Sequence, residues 1–242
     1  MLDELLAPKY LGWLIGGFGV TLLLSALVSV AASVLGLGLC LARVAHSPLW
    51  SWPARAWLSV FRNTPLLVQL FFWYFGASAL MPEKLLIWLN TPHEWDLKLF
   101  GVRWPSFEYL AGFFGLTLYT AAFIAEEFRS GVRGVPAGQV AAAQALGFTP
   151  LQVWLNVVMP QAFRISLPPL LGQYMNAVKN SSLTMAIGLA ELSYASRQVE
   201  TETFKTFQAF GIATTLYIAT IIVIELAGQW LQRRKPAPGA SH

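Results

Sequence analysis

Long apolar runs separated by short polar connections dominate this chain of 242 residues. Four segments of mostly apolar residues lie at 13–41, 57–80, 109–128 and 206–231. A fifth segment, at 165–189, is apolar but interrupted by polar positions. Since a helix needs roughly 20 mostly apolar residues to cross a bilayer, the pattern predicts an all-α polytopic membrane protein. We expect five transmembrane helices in a single domain over residues 1–235.

Composition supports a membrane protein and excludes a soluble globular one. Hydrophobic residues make up 56% of the chain, charged residues only 12%, and the mean hydropathy is +0.55. A typical soluble domain has about 25% charged residues. A water-soluble fold of this length could not bury so much apolar surface.

The placement of charge predicts the orientation, because short cytoplasmic loops collect Lys and Arg. Three regions are rich in basic residues, namely Arg43, Arg55 and Arg62, then Arg129, Arg133 and Arg164, and finally Arg233, Arg234 and Lys235. The remaining connections mix acidic and basic residues. We therefore expect the N-terminus outside and the C-terminus in the cytoplasm. This bias also explains the net charge of +4, so a nucleic-acid partner is not predicted.

The sequence at the two ends of the chain predicts no further folded element. No basic region or cleavage site surrounds the first apolar run, so we predict no removable signal peptide. The tail, 236–242, contains Pro and Gly and is predicted to be disordered.

The single cysteine, Cys40, excludes an internal disulfide. Without a phosphate loop or a clustered set of ligands we expect no bound ATP, no metal, no other cofactor and no catalytic site.

The longest outside connection, at about 81–105, contains three tryptophans. Because Trp favours the membrane interface, we expect a short helix along the outer surface. Contact with a soluble binding protein is the alternative.

The connection at 131–160 predicts a compact helical knob on the cytoplasmic side. Pro136 suits a first helical turn, and Gly138–Leu146 favours a helix that Gly147 would end. A second helix can begin at Thr149, with Pro150 in its first position. The small alanines leave a shallow surface, and Leu146 and Phe148 offer apolar contact to a partner. The alternative is a hairpin that only connects two spans.

Polar residues in the fifth apolar segment form a stripe along one helical face. Gln173, Asn176, Lys179 and Asn180 follow at intervals of three, three and one, and Ser181 and Ser182 extend the polarity. Ionisable groups at membrane depth usually face a cavity or a partner, so we interpret the stripe as the lining of a substrate pathway. Lys179 could attract a carboxylate. The alternative is hydrogen bonding between two membrane subunits.

Arg62 lies about six residues inside its predicted span. The simplest interpretation is that its guanidinium reaches the cytoplasmic interface. An ion pair with Glu126 or Glu127 is the second interpretation, and it would form a candidate gate at the inner mouth.

The knob carries a family resemblance. The spacing of Ala141, Ala142, Ala143 and Gly147, followed by Val157 and Met159-Pro160, resembles the EAA loop of ABC importer permeases. In that family the loop is a coupling helix that docks into a groove of a separate ATPase subunit. The resemblance implies that ATPase coupling falls to Gln139, Ala141, Ala142, Ala143, Leu146, Gly147 and Phe148. Ala141 departs from the motif, which has Glu at this position, so a polar contact of the loop is missing here.

Three further segments resemble permeases for polar amino acids, the uptake family of histidine, glutamate, glutamine, arginine and opine type. They are FRNTPLLVQLFF at 61–72, AEEFRSG at 125–131 and VKNSSL at 178–183. Met81-Pro82-Glu83-Lys84, with the long segment that follows, looks most like the glutamate/aspartate-type subgroup. The resemblance extends over nearly the whole chain, from about Trp13 to Leu231.

The resemblance implies a type I ABC importer permease fold and a function in amino-acid import across the bacterial inner membrane. It implies a second permease subunit, a homologue or a copy, two ABC ATPase subunits that hydrolyse the ATP, and a periplasmic or extracellular binding protein. The chain itself would be a permease and no enzyme. Two alternatives remain at this point: a channel-like or ion-conducting component not coupled to an ATPase, and a membrane scaffold.

Overall fold

The computed structural model describes residues 6–45, 47–91, 94–97, 100–103 and 105–234. The predicted disordered tail at 236–242 and the first five residues lie outside the described part. The chain divides into two compact units. Unit 1 comprises Met1–Val28, Asn63–Tyr119 and Ala177–Ile218, and unit 2 comprises Ser29–Arg62, Thr120–Asn176 and Ala219–His242.

Helices account for almost all of the described elements. They are α1 (Pro8–Val44), α2 (Pro48–Asn63), α3 (Leu66–Phe71), α4 (Ala77–Leu80), α5 (Glu83–Asn90), α6 (Phe107–Arg133), α7 (Ala137–Ala145), α8 (Pro150–Val153), α9 (Met159–Ser181), α10 (Leu192–Thr203) and α11 (Thr206–Arg234). Short π-helical turns occupy Phe72–Gly76 and Trp154–Val158, and a 3₁₀ helix occupies Ser182–Ile187. One antiparallel hairpin, β1 (Glu94–Leu97) and β2 (Phe100–Arg103), pairs Glu94 with Arg103.

In the described part of the chain, three helices are long and apolar enough to cross a membrane. They are Pro8–Val44, Phe107–Arg133 and Thr206–Arg233. A shorter apolar helix covers Leu66–Leu80. The fifth predicted span, 165–189, begins inside α9 (Met159–Ser181) and continues through the 3₁₀ helix Ser182–Ile187, and its polar stripe lowers its hydropathy. The all-α membrane fold predicted from the apolar pattern is confirmed.

The second predicted span, 57–80, is not one continuous helix. Helix α2 ends at Asn63, and Pro65 has an extended backbone (φ −58°, ψ 135°) before α3 begins. A proline removes one backbone hydrogen bond and disfavours helical geometry at the preceding residue, here Thr64. The polar residues Arg62, Asn63 and Thr64 stand at this break. The apolar residues on both sides outweigh them when hydropathy is averaged over about 20 positions, which is why hydropathy alone did not reveal the break.

The long connection at about 81–105 contains the predicted short helix, α5, and also the hairpin that the pattern did not predict. Helix α5 begins after Pro82 with Glu83 in its first turn. The hairpin follows, with Asp96 opposite Gly101 in its register. Pairing two short strands satisfies the backbone groups of a segment that is too polar for a span.

Unit 1 packs around the middle of α1. Leu24 and Val28 of α1 contact Leu70 of α3 and Leu116 of α6, and all four side chains are buried. A second cluster joins the start of α1 to α10 and α11, with Leu14, Leu192, Val199 and Ala209 at its centre.

Unit 2 packs the second half of α1 against α6 and α9. Ala32 and Cys40 of α1 meet Ala121 and Ile124 of α6 and Leu170 of α9. Cys40 is 1% exposed, so its small side chain is part of the packed interior of unit 2. Small residues at the contact let these helices approach closely.

Candidate functional site

The predicted knob at 131–160 is present and built as its sequence indicates. Helix α7 ends at Ala145, and Gly147 adopts φ +82°, a left-handed conformation that L side chains rarely take. Thr149 caps α8 through its hydroxyl, which accepts from the backbone N–H of Gln152, and the Gln152 side chain accepts from the N–H of Thr149. This capping box, with Pro150 in the first turn, sets the second helix.

The knob presents an apolar outer surface. Leu146 is 78% exposed, Leu151 65% and Phe148 40%. Ala141 and Ala142 are also exposed, so the surface beside the turn is shallow. Ala143 is buried at 6% and belongs to the interior of the knob. Of the predicted coupling alanines, only Ala141 and Ala142 can therefore meet a partner directly.

A small core fastens the knob to the long helices of unit 2. Ala143 packs with Val135 at the end of α6, with Val153 of α8 and with Ala162 of α9. Gln139 lies on the outside of α7, and its side-chain oxygen accepts a hydrogen bond from Gln161 of α9. The knob is thus attached to both α6 and α9, and a force on it would reach both helices.

Gly131 sets the distance between α6 and α9. A Cβ at this position would lie 2.0 Å from Ser166 Oγ and 2.4 Å from the backbone oxygen of Ala162. Ser166 also donates to the backbone oxygen of Glu127, at 3.0 Å. Only a glycine permits this approach, which joins the two helices directly above the knob.

Glu126 of α6 is the centre of a cluster of arginines. Its carboxylate forms ion pairs with Arg43 of α1 and Arg129 of α6, and the Arg62 guanidinium lies 3.9 Å away. The Glu126 side chain is 14% exposed and that of Arg62 41%. The predicted pairing of Arg62 with Glu126 is therefore present, although Arg43 and Arg129 make closer contacts. Arg62 also lies over the ring of Phe123, 5.4 Å from its centroid.

Glu127, the other predicted gate acid, has a different kind of partner. Its Oε1 accepts a hydrogen bond from Gln173 Nε2 of α9 at 3.1 Å. This links the predicted gate residues of α6 to the first residue of the polar stripe.

The remaining stripe residues lie in the second half of α9 and just after it. Lys179 is exposed in the last turn of α9, and Asn176 and Asn180 are partly exposed. Ser181 is fully buried, and its hydroxyl donates to the backbone oxygen of Val178. Ser182 donates to the backbone oxygen of Lys179. In this conformation Lys179 is the residue of the stripe that can offer a free charged group.

Sequence reasoning missed a buried carboxylate in unit 1. Glu191 is 0% exposed and accepts hydrogen bonds from Tyr217 Oη at 2.7 Å, Thr21 Oγ1 at 3.2 Å and the Tyr194 backbone N–H at 2.9 Å. Its partners lie on α1, α10 and α11. The only sequence signal was an acid directly after an apolar run, which also fits an ordinary helix N-cap.

Sequence reasoning also missed Arg43 as a partner of Glu126. It lies in the last turn of α1, a place where basic residues commonly face solvent or the helix dipole. No spacing rule connects it with an acid more than 80 positions along the chain. Within the described residues, no group of three or more His, Cys, Asp or Glu side chains is placed to hold a metal.

Comparisons with known proteins agree with this architecture. Residues 34–235 match the family described as binding-protein-dependent transport system inner membrane component. Permeases of this kind work with separate ATPase subunits, which hydrolyse the ATP, and with binding proteins.

Curated relatives are permeases of amino-acid transporters. The chain is 30% identical over 230 residues to the glutamate/aspartate import permease protein GltJ of Escherichia coli (strain K12), covering 95% of this chain and 90% of that protein. It is 33% identical over 218 residues to the probable glutamine ABC transporter permease protein GlnM of Bacillus subtilis (strain 168), covering 90% and 91%. It is 31% identical over 231 residues to the histidine/lysine/arginine/ornithine permease protein HisM of Escherichia coli (strain K12), covering 93% and 92%.

Solved structures give the same fold. A chain of an amino acid ABC transporter crystallised with histidines aligns with a TM-score of 0.79 and 26% identity, over 93% of this chain and 95% of that one. A chain of the MetNI methionine ABC transporter aligns with a TM-score of 0.75 at 18% identity, over 95% and 99%, which shows the fold alone. With helices, knob and relatives in agreement, the chain belongs to the family of inner membrane components of binding-protein-dependent transport systems, the permease subunits of ABC importers.

Proposed function

We propose that this chain, with a second permease subunit, forms the membrane pathway of an ATP-driven importer of polar amino acids. The knob carries the proposal, because it pairs an exposed apolar tip with a rigid attachment to two long helices. A mere connector would have no need of either feature. The knob would lie in the cytoplasm, with the N-terminus outside, as the basic residues around it favour.

Coupling would run through unit 2. An ATPase subunit would grip the exposed Leu146 and Phe148 and move the knob. The core around Ala143 would pass the movement to α6 and α9, and the close contact at Gly131 would keep these helices together. Helix α6 carries Glu126, whose arginine partners lie on α1, α2 and α6, so these ion pairs would rearrange as the pathway opens and closes. This is alternating access driven by ATP.

The substrate class rests on Lys179 and on the relatives. Every amino acid has an α-carboxylate, and an exposed ammonium can attract it, while the amides of Asn176 and Asn180 can bind its other polar groups. The relatives are named for acidic, amide and basic amino acids. A lone lysine fits the α-carboxylate that all of these amino acids share. Glutamate and aspartate are the first substrates to test.

Uptake into proteoliposomes tests both parts of the proposal. The chain would be reconstituted with its ATPase, second permease and binding protein, and supplied with labelled glutamate, aspartate, glutamine, arginine and histidine. We expect ATP-dependent uptake of one class, its loss in Lys179→Ala and partial retention in Lys179→Arg. Arg197→Ala is the matched control, since Arg197 is an exposed cation paired with Glu200. An ion flux without ATP, and no uptake of any of the five, would contradict the proposal and favour a channel.

A further inference from the structure

The arginines of unit 2 far outnumber its acids. Residues 29–62 and 120–176 contain six arginines, no lysine and only two acids, Glu126 and Glu127. Five of the arginines gather at one place. Arg43, Arg62 and Arg129 surround Glu126. Arg133 follows Arg129 by about one turn of α6, and Arg55 precedes Arg62 by about two turns of α2, so each lies on the same helical face as its neighbour; the charges of the other four also act on Arg43. We call these five the arginine cluster. It is not neutralised from within, since Glu126 is the one carboxylate in ion-pair contact with it among the described residues.

Two members of the arginine cluster are free to meet an outside anion. Arg55 and Arg133 are exposed, and neither has a carboxylate within ion-pair distance in the part of the chain that the structure describes. Arg43, Arg62 and Arg129 contact Glu126 and hold the centre of the cluster. A ligand would therefore approach from the side of Arg55 and Arg133.

The helix that carries Arg55 has the surface of an interfacial helix. Trp52 is 72% exposed, Trp50 63% and Leu49 76%, and its buried side is formed by Ser51, Ala54 and Leu58. Amphipathic helices with Trp and Arg on their exposed surface lie at the boundary between lipid headgroups and acyl chains. These side chains would meet lipid, because nothing in unit 2 covers them among the described residues.

The length of α1 places the arginine cluster at the membrane surface. With 37 residues at 1.5 Å each, α1 is about 55 Å long, against a hydrocarbon core of about 30 Å. Arg43 is in the last turn of α1, so it reaches the headgroup layer. The anion most abundant there is the phosphodiester of a phospholipid. Guanidinium groups bind phosphate oxygens with two parallel hydrogen bonds, which suits a cluster built of arginine alone.

We propose that Arg55, Arg133 and the rest of the arginine cluster, with Trp50 and Trp52, bind the headgroup of an anionic phospholipid of the cytoplasmic leaflet. The proposal rests on the orientation given under the proposed function, and it adds a lipid site that transport does not require. The lipid would neutralise the surplus charge around Glu126 and hold α2 against the end of α1.

The test measures lipid binding to the purified assembly in zwitterionic detergent. Melting temperature and native mass spectra would be recorded with phosphatidylglycerol, with phosphatidylcholine and with inorganic phosphate. We expect phosphatidylglycerol to raise the melting temperature and to remain bound, and the other two to do neither. Since one arginine near a charged lipid surface contributes about 1 kcal/mol, Arg55→Gln with Arg133→Gln should weaken phosphatidylglycerol binding roughly thirty-fold at low salt.

Arg164→Gln is the matched control, because Arg164 is an exposed arginine of the same unit that is absent from the group acting on Arg43. Equal stabilisation by both lipids, or an unchanged affinity in the double variant, would overturn the proposal. Stabilisation by inorganic phosphate alone would show a site for the free anion, and loss of the ATPase subunit from the double variant would show a protein-binding site; either result overturns it too. Because binding is measured without transport, failure here leaves the uptake experiment to judge the proposed function separately.

Discussion

Two glutamates of this permease have carboxylates that lie mostly out of solvent, and the two carboxylates are held by different kinds of partner. Glu191 in unit 1 is fully buried and accepts hydrogen bonds from hydroxyl and backbone donors, and no cation of the described residues lies within ion-pair distance of its carboxylate. Glu126 in unit 2 is partly exposed and is held by Arg43 and Arg129, with Arg62 at 3.9 Å. Neutral donors fix one geometry, whereas long charged side chains can exchange partners. We therefore expect the structure of unit 1 to be rigid around Glu191, and the ion pairs of unit 2 to be able to rearrange around Glu126.

The largest effect is expected from Glu191→Ala. It leaves the Tyr217 hydroxyl, the Thr21 hydroxyl and one backbone N–H without their acceptor in a site that water does not reach. A buried donor without a partner costs roughly 1–3 kcal/mol, so the loss in unfolding free energy should exceed about 3 kcal/mol. The melting temperature of the purified protein measures it. Glu225→Ala is the control, since Glu225 is exposed on α11 and accepts a hydrogen bond from Gln229, one helical turn away. Equal losses in the two variants would contradict the special role of Glu191.

Gly131→Ala tests the close contact between α6 and α9, the two helices to which the knob is attached. The new methyl group would overlap Ser166 Oγ and the Ala162 backbone oxygen, and overpacking of this kind costs about 1–3 kcal/mol. We expect a lower melting temperature and a fall in uptake per folded molecule. Gly138→Ala, at an open position on α7, should be neutral or stabilising by up to about 1 kcal/mol. A Gly131 variant as stable as wild type would mean that α6 and α9 can separate freely.

Glu126→Gln should affect transport more than stability. The arginines around it are partly exposed and can regain water, so the cost in stability should stay near 1–2 kcal/mol. Uptake should fall several-fold and depend more steeply on salt, because the arginines then repel one another without a counter-charge. Glu127→Gln serves as the comparison, since the amide can still offer an oxygen to Gln173. If the two variants behave alike, the ion pairs of Glu126 have no special role.

The smallest expected difference in stability is between two Tyr→Phe variants. One variant loses a hydrogen bond to a carboxylate, and the other loses a hydrogen bond between two hydroxyl groups. Tyr217→Phe removes a bond of 2.7 Å to the Glu191 carboxylate and one of 3.1 Å to the Ser193 hydroxyl, whereas Tyr174→Phe removes one bond of 2.8 Å to the Ser33 hydroxyl. Bonds to charged groups contribute about 1.5–3 kcal/mol and neutral ones about 0.5–1.5. Thermal unfolding should therefore show a loss about twice as large for Tyr217→Phe. Equal losses would show that the bond to Glu191 contributes no more than a bond between neutral groups.

Local chemistry allowed the knob to be predicted almost residue by residue. Thr149, Pro150 and Gly147 act through their immediate neighbours, so their spacing was enough to indicate the cap and the turn. The end of helix α2 was harder to predict, because Arg62, Asn63 and Thr64 before Pro65 are averaged with the apolar residues on both sides and the break is hidden. Glu191 and Arg43 could not be placed, since their partners lie 26 to 170 positions away and are brought near only by packing. Long-range pairs of this kind leave no periodic signal.

The central claim is that an ATPase drives this membrane subunit through its knob. The most direct test measures uptake and ATP hydrolysis together in the reconstituted importer, for wild type, Gly147→Asp and Gly138→Asp. Asp at Gly147 would disturb a left-handed turn at the exposed tip, whereas Asp at Gly138 faces open space in α7. We predict that Gly147→Asp abolishes uptake while the permease stays folded in the membrane, and that Gly138→Asp keeps most of it. Normal uptake per ATP in Gly147→Asp would contradict the account.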